Sequence, residues 1–188
     1  MRGILKKYLE HYPDEEESLS GLLELIEHNN GSDRDLFNRK NFEGHITASG
    51  YIYCPENNSL LLLEHKALNI LLQPGGHVKE EDEDLISAAR REVAEETGLK
   101  DLKTISISDD INVPLDIHSH PIPTREEKQE AAHYHHDLGY LFVIDQPENI
   151  ELNYSESNSF KWVSIDGLLL SPRHGQVATK IKTIFASK

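Results

Sequence analysis

Glu92, Glu95 and Glu96 place three carboxylates within five positions of a stretch that reads as one helix. On a helix, Glu92 and Glu96 lie one turn apart on the same face, and Glu95, three residues after Glu92, flanks that face. Like charges at this spacing cost roughly a few tenths of a kcal/mol per exposed pair. Partial burial raises the cost steeply and calls for a cation or for raised pKa values. Hard divalent cations take carboxylate and carbonyl oxygens and accept phosphate oxygens into the same shell. Just before the helix, Pro74-Gly75-Gly76 offers backbone groups free of side-chain obstruction. The spacing alone leaves two readings open. One is a metal-bridged diphosphate site; the other is a solubilising helix behind a glycine turn, since E-x-x-E-E occurs on many surface helices.

The wider segment from Gly75 to Leu99, GGHVKEEDEDLISAARREVAEETGL, resembles the Nudix box, the signature of Nudix hydrolases. Its second half is intact: Arg91, Glu92, Val93, Ala94, Glu95, Glu96, Thr97, Gly98 and Leu99. Glu83 has the family spacing to Arg91, and the neighbouring Asp82 competes for that place. Gly76 is one residue further from Glu83 than the pattern has it, a one-residue insertion in the loop.

The resemblance implies an α+β Nudix fold, a mixed β-sheet sandwiched between α-helices. It implies metal ligation by Glu92, Glu95, Glu96 and the Gly76 carbonyl, with Mg2+ or Mn2+ as the cation. Arg91 orients the box glutamates, and Glu83 anchors the loop. A further glutamate from a late loop serves as ligand or general base, for which Glu156 is the candidate and Glu151 and Glu148 are alternatives. The activity implied is hydrolysis of the diphosphate linkage in a nucleoside diphosphate joined to another moiety X.

Eleven histidines form a second concentration of chemistry. His77 follows the glycine turn, His118 and His120 lie in DIHSHPIP, and His133, His135 and His136 lie in AHYHHD. In extended chain His118 and His120 point the same way, as do His133 and His135. Three readings stand: a substrate-facing rim for phosphate or base, a second, transition-metal site made by two pairs across a sheet edge, or ordinary polar loop residues. The segment also resembles a less characterised Nudix group with an N-terminal helical extension and a first strand like Gly44-His45-Ile46-Thr47-Ala48-Ser49. That likeness favours roles for His77, His118, His120, His133 and His135 in substrate binding.

Positioning these groups requires a scaffold. Apolar spacing predicts a helix over residues 3–12 and another over about 15–28, a helical extension (1–30) that must pack on the following domain (40–188) or on a partner subunit. A homodimer is therefore one option. Strands are expected at HITASGYIYCP, SLLLLEHKAL, 69–73, 102–108, 138–144 and 160–165. Asp84 is the expected cap of the carboxylate helix and Gly98 its stop. Residues 109–133 read as a long, ordered loop or a partly extended excursion, and 176–185 as a closing helix. Phe160 and Trp162 are expected in the core.

Of the 188 residues, 37% are hydrophobic and 28% charged, which suits a packed domain. The net charge of −14 argues against long nucleic acid and anionic membrane as partners and leaves a small nucleotide-type substrate. No apolar run approaches the roughly 20 residues of a membrane span. Cys54, the single cysteine, fits a reducing, cytoplasmic setting. Competing readings are another phosphorylated substrate such as a dinucleoside polyphosphate, or a Nudix-fold nucleotide-binding module without catalysis. Broken carboxylates would mark the second, and all three are present.

Overall fold

The computed structural model describes residues 1–29, 32–145 and 150–186. At its centre two long strands run parallel, β1 (His45–Cys54) and β7 (His133–Val143), in register from His45↔His135 to Tyr53↔Val143. Every other strand pairing is antiparallel. β2 (Ser59–His65) joins the second half of β1 and carries β3 (Leu71–Leu72) and β8 (Ser157–Ser164). β4 (Gly75–His77) joins the first half of β1. β7 carries β6 (Asp116–Ile122) along its first half and β5 (Lys103–Ile105) near its end.

β1 is buried along its whole length, as expected of a strand covered on both faces. Ile46, Ala48 and Ile52 share a core with Ala89 and Val93 of helix α3 (Leu85–Thr97). The alternate residues Tyr51 and Tyr53 pack with Val177, Ala178 and Ile181 of α5 (Gly175–Ala186), beside the short α4 (Ile165–Leu168). The mixed sheet is thus sandwiched between helices.

The α3 boundaries follow from local chemistry. Asp84 accepts the Ser87 amide proton at 2.8 Å, and Gly98 closes the helix with φ +75°. The N-terminal helices, α1 (Arg2–His11) and α2 (Ser20–His28), send Leu5, Tyr8, Leu22, Leu25 and Ile26 into the same core as α3. Lys180 of α5 locks that junction: it is 6% exposed and reaches Glu15 (2.8 Å), Asp116 (2.7 Å) and the Tyr8 hydroxyl (2.8 Å). The Tyr8 oxygen also accepts the Ile117 amide proton at 3.0 Å.

Three expectations need correction. Of the two options for residues 109–133 the extended one holds, since β6 forms an antiparallel ladder with β7; the strand expected from Leu138 begins instead at His133. The polar sequence and Pro121 left the extent of this pairing open, although a proline is tolerated on a strand paired on one side only. The strand expected at 69–73 shrinks to Leu71–Leu72 because Asn69 turns with φ +54°. Phe160 is 38% exposed while Trp162, on the same side of β8, packs against the core.

Candidate active site

Gly75 and Gly76, expected as a turn, open strand β4 instead, because their backbone pairs with Ser49 and Ala48 of β1; β4 and helix α3 set these glycines against the carboxylates. The Gly75 amide donates to Glu96 Oε1 at 2.7 Å. The Glu92 carboxylate lies so close to Gly76 that a Cβ there would stand 2.8 Å from its Cδ and 2.9 Å from each oxygen. Glu92 and Glu96 are each 8% exposed, while the Glu95 carboxylate is more open.

Arg91 is the hub of the charge network. It grips Asp82 with two nitrogens (2.9 and 2.8 Å) and reaches Glu92 at 2.6 Å and Glu95 at 3.2 Å. It also donates to the His77 carbonyl at 3.0 Å. Asp82, not Glu83, therefore ties the loop to the helix; Glu83 is exposed. The added residue in the loop is absorbed by a turn in which Asp82 also accepts the Lys79 amide proton at 2.8 Å. Lys79 pairs with Glu95 at 2.9 Å.

Burial raises the pKa of Glu92 even though Arg91 opposes it. Burial, reinforced by the charges of Glu156, Glu92 and Glu95, pushes Glu96 up to about 8. Among the described residues no cation pairs with Glu96. Oxygen donors, mutual repulsion and a bare glycine backbone facing them match what a hard divalent cation requires. The donor set therefore fits a hard divalent cation.

Glu156, exposed in the turn just before β8, is near enough for its charge to act on Glu96. Its loop is pinned to the end of α3 by hydrogen bonds from the Glu151 amide to Thr97 O (2.9 Å) and from the Asn153 amide to Glu96 O (3.0 Å). Glu148 lies outside the described residues.

The histidines form a continuous row across four strands. Ring centroids run from His118 to His120 (5.1 Å), His135 (5.5 Å), His45 (4.5 Å) and His77 (5.1 Å). His133 joins beside His45 and His135 at 4.9 and 5.1 Å. Burial lowers the pKa of His45 and His120, brings His77 to about 4, and with its neighbouring imidazoles takes His135 to about 2, so these rings are neutral at neutral pH. At one end of the row His118 lines a cavity of about 500 Å³ with Asp116, Pro172, Arg173 and Gln176. At the other end His77 adjoins the Arg91 hub. Asp137 shares the face, held by Thr47 (2.9 Å), Ser49 (2.5 Å) and Gln73 (3.2 Å).

His45 was missed as a site residue from the sequence. It sits in a strand away from the other histidines, and only the β1–β7 pairing puts it opposite His135. His136 points to the other face, where its Nδ1 bonds Ser119 Oγ at 2.7 Å.

A family model described as the NUDIX domain matches residues 44–183. The chain belongs to the Nudix family. A relative from Lactococcus lactis subsp. cremoris (strain MG1363), named a probable DHNTP pyrophosphohydrolase, is 30% identical over 135 residues, covering 72% of this chain and 74% of that protein. The fold matches the binary complex of a C. elegans Ap4A hydrolase with TM-score 0.58 at 18% identity, over 76% of this chain and 98% of that one. It also matches E. coli dihydroneopterin triphosphate pyrophosphohydrolase with TM-score 0.57 at 16% identity, over 76% and 96%. In this Nudix chain α1 and α2 precede the matched region.

Proposed function

We propose that this Nudix chain is a divalent-metal-dependent pyrophosphohydrolase that cleaves the diphosphate linkage of a nucleoside diphosphate joined to a moiety X. One observation carries the reading: Glu92 and Glu96 are buried together against Gly75 and Gly76, with Arg91 already committed and, among the described residues, no cation paired with Glu96. Glu92, Glu95, Glu96 and the Gly76 carbonyl would hold Mg2+ or Mn2+. When bound, the cation neutralises diphosphate charge and makes a bound water more acidic.

The chain's own residues do the rest. Arg91, fixed by Asp82, holds Glu92 in place against Gly76. Glu156 is the candidate base that takes the proton of the attacking water. The water oxygen bonds to phosphorus as the bridging P–O bond breaks, giving a phosphate monoester and a second phosphorylated or phosphate product. Positioning and charge neutralisation supply most of the rate. His77, next to the Arg91 hub, and His120 and His118, next to the Arg173 cavity, are assigned to the wall that receives X.

The relatives' printed names, a DHNTP pyrophosphohydrolase and an Ap4A hydrolase, support a small phosphoanhydride substrate. The net charge of −14 supports the same choice over long nucleic acid. The buried free thiol of Cys54 fits a cytoplasmic location, and among the described residues no helix is long and apolar enough to cross a membrane.

The test is hydrolysis of a panel containing dihydroneopterin triphosphate, diadenosine polyphosphates, ADP-ribose, nucleotide sugars, CoA and nucleoside triphosphates, with Mg2+ or Mn2+ after chelator treatment. Glu92→Gln and Glu96→Gln are each expected to lower turnover by about 10²-fold or more. Full activity in both variants refutes the mechanism.

A further inference from the structure

Outside the carboxylate centre, His45, His133 and His135 each offer a ring nitrogen within 4.8 Å of the others'. We propose that these three imidazoles form a separate binding site for one zinc-class divalent cation, with a fourth coordination position left open.

The geometry of the ring nitrogens supports this. His133 Nδ1 lies 2.7 Å from the Ala131 carbonyl, and His45 Nδ1 lies 3.3 Å from the Asn41 carbonyl. A carbonyl only accepts, so each Nδ1 carries the proton and each Nε2 carries a lone pair. A ring N–H held by a backbone carbonyl is the usual support behind a metal-bound imidazole. His45 is 1% exposed, and its Nε2 is buried without a hydrogen-bond partner among the described residues. An orphaned buried acceptor is costly unless something fills the place.

His133 Nε2 accepts a hydrogen bond from His135 Nε2–H at 3.2 Å, and a cation would replace that shared proton. Two imidazoles on a tetrahedral zinc, at Zn–N of about 2.0–2.1 Å, place their nitrogens about 3.3–3.4 Å apart. Three nitrogen donors without a carboxylate suit zinc, iron, cobalt or nickel rather than magnesium. A three-histidine set leaves room for water or a substrate oxygen.

The site is built by tertiary pairing. His45 comes from β1, and His133 and His135 come from β7. His77 stacks on His45 with its ring while its carbonyl accepts from Arg91, so β4 connects this site to the carboxylate centre. Along β1 the rung of His45 is three residues from that of Gly76, about 10 Å at strand rise. The two sites are neighbours with different donor chemistry.

The experiment uses the full chain, stripped with chelator and dialysed against zinc in the presence of excess Mg2+, with bound zinc measured by mass spectrometry and affinity by calorimetry. One equivalent is expected in the unaltered chain, in His118→Gln and in the double variant Glu92→Gln/Glu96→Gln. Affinity should fall at least about 100-fold in His45→Gln and in His135→Gln. A second measurement on the unaltered chain avoids any folding defect of the variants: Co2+ in place of zinc should give the intense visible bands of a tetrahedral site. The proposal is overturned if the unaltered chain takes up no zinc, if its Co2+ spectrum is that of an octahedral ion, if the histidine variants bind as tightly as the parent, or if the glutamate double variant loses the site.

Discussion

Gly76→Ala tests whether the bare glycine of β4 holds the Glu92 carboxylate in its working position. Gly76 has no positive φ, so alanine meets no backbone strain. The new Cβ would stand 2.8 Å from Glu92 Cδ and 2.9 Å from both oxygens, whereas ordinary contact begins near 3.4 Å. The carboxylate must therefore retreat by about half an ångström, stretching its 2.6 Å bond to Arg91. Only the end of a side chain moves, so the stability cost should be about 0.5–1.5 kcal/mol, the cost of an off-rotamer torsion. Catalysis is less tolerant: a misplacement of about 1 Å costs roughly 10²-fold. We expect turnover to fall about 10-fold to 10²-fold, with more Mg2+ needed for half-maximal rate. The assay is initial rate against Mg2+ concentration on the best panel substrate, beside urea denaturation. Parental rates at limiting Mg2+ would refute the placement of Glu92 at the cation. A stability loss beyond about 3 kcal/mol would show that the added Cβ strains the fold rather than the carboxylate.

Other perturbations read different parts of the structure. With its folded pKa raised from 4.5 to about 8, Glu96 contributes stability present below about pH 4.5 and lost as pH rises through about 8. In chelator, Glu96→Gln should therefore lose less stability than the parent between pH 5 and 8.5 by thermal melting, and Mg2+ should stabilise the parent more than the variant; identical pH dependence would contradict the assigned burial. Arg91→Ala leaves Asp82, whose side chain is 4% exposed, and Glu92 without their cation, so urea denaturation should show a loss of about 3–5 kcal/mol. Tyr8→Phe removes the acceptor for the Ile117 amide and a partner of Lys180; a loss of about 1–3 kcal/mol is expected, and an unchanged melting curve would show that the N-terminal helices are not held there.

The carboxylate helix was readable because its chemistry is local. Asp84, Gly98 and the four-residue spacing of Glu92 and Glu96 act within one element, and the structure places the cap, the stop and the shared face as expected. Arg91 went further than its helical position suggests, because a long side chain reaches Asp82 across the loop as well as Glu92 and Glu95. The choice between Asp82 and Glu83 depended on which way a turn points its side chains, and spacing does not encode that. The extent of the β6–β7 hairpin was left open for a related reason: a ladder is made by partners, and its polar, histidine-rich strands lack the alternation that marks a half-buried strand.

By itself the sequence determined the helix, its caps and the family-like run of acids that makes a diphosphate chemistry plausible, because periodicity and capping operate over a few residues. Only the tertiary structure decided that Glu92 and Glu96 are buried against Gly75 and Gly76, which turns a row of charges into a site in need of a cation. It alone brought His45, distant in sequence, beside His133 and His135 by the parallel pairing of β1 with β7. Burial and long-range register are properties of packed surfaces, and a chain read residue by residue does not contain them until it folds.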